Sequence, residues 1–219
     1  MKNILIIGSK VKNLINKLAD SKLYRYHITY SKKEKISNDS EYVLNLSSDD
    51  SISRFIAVRN IIFDAVICLS ATYTADVDDN IKNYEQCAIS ALNYRKLLKL
   101  NISKNSKILF FTDGGTHPKL GYYSYSISKD ILKLIIPKLA IEMIDNIIII
   151  DMPVLTAKQN INKKEFYQRS IVQVKSPING LINLIIFLCN EENYYSTCII
   201  DFTGAYILRN KNNAREQLI

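Results

Sequence analysis

The sequence predicts a doubly wound α/β fold: a seven-stranded, mainly parallel sheet with helices on both faces, built as one domain over residues 1–219. Three observations carry this expectation. Seven short runs rich in Ile, Leu, Val and Phe recur along the chain, many without polar alternation, the pattern of strands buried on both faces. The segments between them place apolar residues at helical spacing. The runs end at Gly, Ser, Asn, Thr or Pro, residues that turn a chain or meet a ligand. Alternating strands and helices of this kind imply right-handed crossovers and a parallel sheet.

Each element follows from its residues. Ile4-Leu5-Ile6-Ile7 is a buried strand closed by Gly8, and Leu14, Ile15, Leu18 and Leu23 mark a helix. Tyr26–Tyr30 and Tyr42–Leu46 are the second and third strands, and Ile52, Phe55, Ile56 and Val58 line a second helix. Asp64–Leu69 is the fourth strand. A long helix over Ile81–Leu100 turns Cys87, Ala88, Ala91, Leu92 and Leu98 inward. Lys107–Phe111 is the fifth strand, followed by a loop, Thr112-Asp113-Gly114-Gly115. A helix then carries Tyr125 and Lys129, with Leu132, Ile135, Ile136, Leu139 and Ala140 on its apolar side; Pro137 kinks it or marks a boundary. Ile147–Ile150, a helix over Gly180–Cys189 and a strand over Cys198–Asp201 complete the chain.

Composition excludes several function classes. Cys68, Cys87, Cys189 and Cys198 are scattered, and with only His27 and His117 no metal-ligand spacing appears, so no metal is expected. A net charge of +8 is spread along the chain without a recognition motif, which argues against a specific nucleic-acid partner. The apolar runs are too short to span a membrane and the N-terminus lacks a signal-peptide pattern, so a cytoplasmic protein is expected.

The chemistry centres on Tyr125 and Lys129. Four residues apart on a helix, they share a face one turn from each other. An ammonium beside a phenol favours the phenolate and makes it a usable acid–base group. A hydroxyl on a facing segment, Thr112, would orient a carbonyl or alcohol between them. With 14 Tyr and many Lys in the chain, the pair taken alone reads more readily as a solvated helix face; the convergence of the strand ends lifts the functional reading above it. In a parallel sheet Gly8, Ser31-Lys32, Asn45, Ser70-Ala71, Thr112 and Pro153 all converge on one crevice at the carboxyl ends.

With these residues in place, the chain resembles the short-chain dehydrogenase/reductase family over nearly its whole length, with a Rossmann-like fold. The block Lys107–Glu142 follows the family order: strand, hydroxyl-bearing loop, Tyr125-x-x-Ser128-Lys129, then Leu139-Ala140-Ile141-Glu142. The resemblance implies that Tyr125 is the general acid/base, Lys129 lowers its pKa and holds the nicotinamide ribose, and Thr112 orients substrate. It assigns Asn80, with Asn83 close by, to the proton-relay water; a helix cap is the other reading of Asn80. Gly8, Ser9, Lys10, Ser31, Lys32, Asn45, Ser70, Ala71, Pro153 and Thr156 would join Tyr125 and Lys129 around the cofactor. Asp113, beside Thr112, is similar to an acidic residue of pterin-reducing members such as dihydromonapterin reductases, and Tyr73 and Tyr123 would stack on a flat substrate ring. Tyr30-Ser31-Lys32-Lys33 replaces the carboxylate of NAD-preferring members, so NADPH is favoured over NADH.

The chain departs from the family at the cofactor turn. Ile7-Gly8-Ser9-Lys10-Val11-Lys12 keeps one glycine where the family has three, and the turn reads as shortened. A catalytically inactive family-fold regulatory or assembly protein, binding nucleotide weakly or not at all, is therefore the competing expectation. The polar segment from Lys158 to Ser176 stands in the place of a short substrate lid. A homodimer or homotetramer, pairing through Ile81–Leu100 and Tyr125–Ile141, is what the resemblance implies for assembly.

Overall fold

The computed structural model describes residues 1–9, 12–31, 38–57, 60–69, 89, 92–94, 96–97, 102–113, 123–143, 146–152, 177–190 and 198–201. Its strands are β1 (Asn3–Ile7), β2 (Arg25–Tyr30), β3 (Glu41–Val43), β4 (Phe63–Cys68), β5 (Ile102–Asp113), β6 (Asn146–Met152) and β7 (Cys198–Asp201). Its helices are α1 (Lys12–Asp20), α2 (Asp49–Ala57), α3 (Tyr123–Met143) and α4 (Pro177–Asn190). The strands form one sheet in the order β3-β2-β1-β4-β5-β6-β7, and every pairing is parallel. This is the doubly wound α/β architecture the sequence predicts. None of these helices is long and apolar enough to cross a membrane.

Alternation along the strands divides the core into two layers. Ile4 and Ile6 face α1 and α4, where they meet Leu14, Leu18, Leu181, Ile185 and Leu188. Leu5, Ile7, Val66, Ile108 and Phe110 face the opposite way, toward Ile52 and Phe55 of α2 and Leu132 and Ile136 of α3. Because both faces are covered, the central strands carry unbroken apolar runs.

Helix ends are set locally. α1 stops where Lys22 takes a left-handed conformation, φ 52°, after Ser21 and Lys22 donate to the carbonyls of Leu18 and Ala19. Leu23 consequently lies beyond the helix and is exposed, contrary to the expectation from spacing. α2 begins with the Ser48 hydroxyl accepting the Ser51 amide, and Asp49 and Asp50 complement the dipole. Pro137 lies inside α3 and is not its boundary. In the middle segment, residues 92–94 and 96–97 are helical, but the inward face is that of Asn93, Tyr94 and Leu97. Leu92, expected inward, is exposed; the Asn93 amide instead donates to the Leu46 carbonyl at 2.7 Å, turning the helix to that side.

The amino ends of the central strands are joined by a polar chain that runs from the buried His27 and Tyr42 to the half-buried Asn3 and Asp64. The Asn3 amide donates to Asp64 Oδ2 at 2.8 Å, and Asn3 Nδ2 donates to the Ile62 carbonyl. Asn3 Oδ1 accepts from His27 Nε2 at 3.3 Å, and His27 Nδ1 and the Tyr42 hydroxyl share a hydrogen bond of 2.9 Å. Four strands are thereby stitched at one edge, away from the carboxyl ends.

One buried group in β5 lacks such a partner: Ser106 is fully buried and its hydroxyl makes no hydrogen bond among the described residues. Desolvating an unpaired hydroxyl costs about 1–3 kcal/mol. Ser106→Ala is expected to stabilise the fold by roughly 1 kcal/mol, read as a higher urea midpoint with an unchanged slope; a lower midpoint would contradict this account of Ser106.

Candidate active site

Because all strands are parallel, their carboxyl ends share one edge. The chain order reverses at β1, which pairs with β2 on one side and β4 on the other. A crevice opens at such a reversal. Its first wall is the turn after β1. Gly8 has φ 101°, a conformation that favours glycine, and its amide donates to Thr29 Oγ1 at 3.1 Å. β1 ends at Ile7 and α1 is described from Lys12; residues 10 and 11 of the turn, where the sequence reads as shortened, lie outside the described residues. The first turn of α1 contains no acidic residue.

The second wall is built by β5 and α3. β5 extends through Thr112 and Asp113, which pair with Asp151 and Met152 of β6. This corrects the expectation of a loop at Thr112-Asp113: β6 is itself long enough to continue the ladder, so both residues are held as strand. Thr112 is buried, two residues beyond Phe110 and therefore on the α3 face of the sheet. Lys129 is also buried, and its ammonium donates to the Phe111 carbonyl at 2.9 Å, on the peptide that leads into Thr112. Lys129, Leu132 and Ile136 form one buried stripe of α3. Tyr125 occupies the helix position one turn before Lys129.

The lysine charge extends to β4. Cys68, the last residue of that strand, is paired in register with Ile7 and Phe110 and is buried. Burial pushes its thiol well above the ordinary range, and the Lys129 ammonium offsets this in part. The sequence offered no signal for Cys68 beside Lys129, because the pairing of β4 with β5 brings them together.

The other expected contacts divide into two groups. Ser9 is half-buried after Gly8, and Ser31 is exposed just past β2. Asn45 is exposed, and its Oδ1 accepts from the Ser47 amide and hydroxyl in the turn before α2. Asp113, Tyr123 and Tyr125 are placed by backbone position alone. Lys10, Lys32, Ser70, Ala71, Tyr73, Asn80, Pro153 and Thr156, with the expected lid at 158–176, lie outside the described residues. Sequence reasoning missed Thr29; its signal would have been a hydroxyl at the end of β2, on the face opposite Ile28.

No protein-family model matches the sequence, and no curated protein matches it. Solved structures do. A short-chain dehydrogenase family protein from Francisella tularensis matches with a TM-score of 0.74 at 14% identity, covering 94% of this chain and 98% of that one. The fold is that of the short-chain dehydrogenases/reductases. A short-chain dehydrogenase from Leptospira borgpetersenii, solved with bound NAD+, has the same TM-score of 0.74 at 14% identity, covering 94% of this chain and 92% of that one. BdcA, solved in complex with NADPH, gives 0.70 at 12% identity and covers 94% of each chain. This chain thus shares the short-chain dehydrogenase fold with proteins to which it is only 12–14% identical.

The buried thiols predict an alkaline limit to stability. Burial also pushes Cys189 from its ordinary 9.0 up to about 12. Both thiols stay neutral when folded and ionise when unfolded, so their contribution is complete below about pH 9 and is lost as pH rises toward the folded value. The urea midpoint should hold to about pH 9 and then fall. A Cys68→Ala/Cys189→Ala variant should show a shallower fall; an unchanged one would remove the thiols from the explanation.

Proposed function

We propose that this chain is a nicotinamide-dependent oxidoreductase that reduces a carbonyl or imine, or oxidises an alcohol, of a small molecule. The observation that carries the reading is Lys129: a buried ammonium held on the Phe111 carbonyl, one turn along α3 from Tyr125. A desolvated lysine is costly unless it is bonded, and a surface pair would not need this arrangement. The likeness in fold to proteins solved with NADPH and with NAD+ supports the choice of cofactor class.

The described residues fit a dinucleotide at the carboxyl edge. Gly8 turns the chain directly after β1, and the described first turn of α1 carries no acidic residue of its own. Ser31 is exposed where a carboxylate would select NAD, and with Lys32 it favours a 2′-phosphate, hence NADPH. The nicotinamide supplies the hydride when bound. Lys129 lowers the Tyr125 pKa through its charge, Tyr125 exchanges a proton with the substrate oxygen or nitrogen, and Thr112 orients that atom. Asn80 holds the water that returns the proton. Asp113, Tyr73 and Tyr123 form the substrate side, and a pterin ring is one candidate.

Thermal unfolding with each of NADPH, NADP, NADH and NAD in excess tests the cofactor. A ligand at 100 times its Kd adds about 2.7 kcal/mol to native-state stability. A shift with NADPH is expected; no shift with any of the four would favour a protein acting without nucleotide. With a substrate from a carbonyl and pterin screen, Tyr125→Phe should lower kcat by about 10²-fold or more while the NADPH shift is retained. An active Tyr125→Phe enzyme would sink the proton-transfer role.

A homodimer or homotetramer is the proposed assembly. Leu134 on α3 is 68% exposed and Leu92 52% exposed, with Ile89 also outward, apolar positions suited to a second copy. Light scattering should give at least twice the monomer mass, and Leu134→Glu should shift it toward monomer; a monomeric parent protein would refute the assembly.

A further inference from the structure

The geometry points to Thr29 as a positioning residue for nucleotide: its hydroxyl holds Gly8, and so sets how the chain leaves β1 toward a pyrophosphate. This rests on the nucleotide reading above. The relevant contact is the Gly8 amide donating to Thr29 Oγ1 at 3.1 Å. Gly8 is the first residue past β1 and is held at φ 101°. Thr29 is 1% exposed and lies in β2, the strand paired directly with β1. The last paired residues are Ile6 and Ile28, so the contact extends the β1–β2 join by a side chain where the ladder gives out.

Two consequences follow. The Gly8 amide donates into the protein, so a pyrophosphate must meet amides further along the turn or at the start of α1. Gly8 is the residue at which the chain leaves the ladder, so its orientation sets the direction in which the chain departs from β1. A glycine there has no side chain of its own to limit its rotation, and Thr29 supplies the constraint from outside. The same strand end continues into Tyr30, whose hydroxyl donates to Glu41, and then into exposed Ser31. One short segment therefore anchors the turn and presents the residue proposed to meet the cofactor ribose.

Thr29→Val keeps the shape and removes the acceptor; Thr29→Ser keeps the acceptor. Hydrogen exchange at the Gly8 amide and affinities for NADPH, ADP and adenosine are measured for the parent and both variants. Thr29→Val is expected to speed Gly8 exchange and to weaken NADPH and ADP by about three- to tenfold, the effect of one hydrogen bond. Adenosine, which has no pyrophosphate, should bind as before, and Thr29→Ser should restore the parent values. Unchanged Gly8 exchange in Thr29→Val overturns the proposal. So does equal weakening of all three ligands, or parent-like NADPH affinity in a variant whose Gly8 exchange has increased. A parent protein that binds neither NADPH nor ADP overturns the nucleotide reading and this role with it, whereas failure confined to the variants overturns this role alone.

Discussion

The parallel ladder through β1 is the constraint on which everything else depends. β1 pairs with β2 on one side and with β4 on the other, so the chain must leave one edge of the strand and return on the opposite edge. That reversal separates the crossovers onto two faces, buries both faces of the central strands and leaves a crevice at their carboxyl ends. The site is a consequence of strand order before it is a consequence of any single side chain.

Polar groups are placed at opposite ends of this sheet for different reasons. At the amino ends, Tyr42, His27, Asn3 and Asp64 bond in sequence and give the strands a fixed lateral order. At the carboxyl ends, Lys129 and Thr29 each reach across to the backbone of a neighbouring strand or turn. Those contacts hold backbone groups beside the crevice, where small displacements alter what a ligand meets. A hydrogen bond to a charged donor contributes about 1.5–3 kcal/mol, which makes the Lys129–Phe111 contact a strong link between α3 and β5.

The strands were readable because they are apolar on both faces: Ile4–Ile7, Val66–Leu69 and Ile147–Ile150 have no other soluble reading of similar simplicity. Helix faces were less so. Spacing alone turns Leu92 inward, yet Asn93 bonds the Leu46 carbonyl and that side of the segment faces the core. Thr112 and Asp113 were read as loop because they are polar, and they are strand because β6 continues beside them. Local composition does not contain the length of a partner strand. At the candidate site, residue type and order point to Gly8, Thr112 and the helix bearing Tyr125 and Lys129. Thr29 and Cys68 could not, since each matters through a residue far away in the chain.

The sequence by itself determined the number and type of elements, their alternation, and the pairing of Tyr125 with Lys129 on one helix face, because these depend on spacing within a few turns of chain. Tertiary structure decided that Lys129 is buried on the Phe111 carbonyl, that Cys68 lies beneath its charge, and that Gly8 is held by Thr29. These depend on which strands are neighbours and in what register. Register is set by the collective burial of two apolar layers, a property of the whole sheet that no local window expresses.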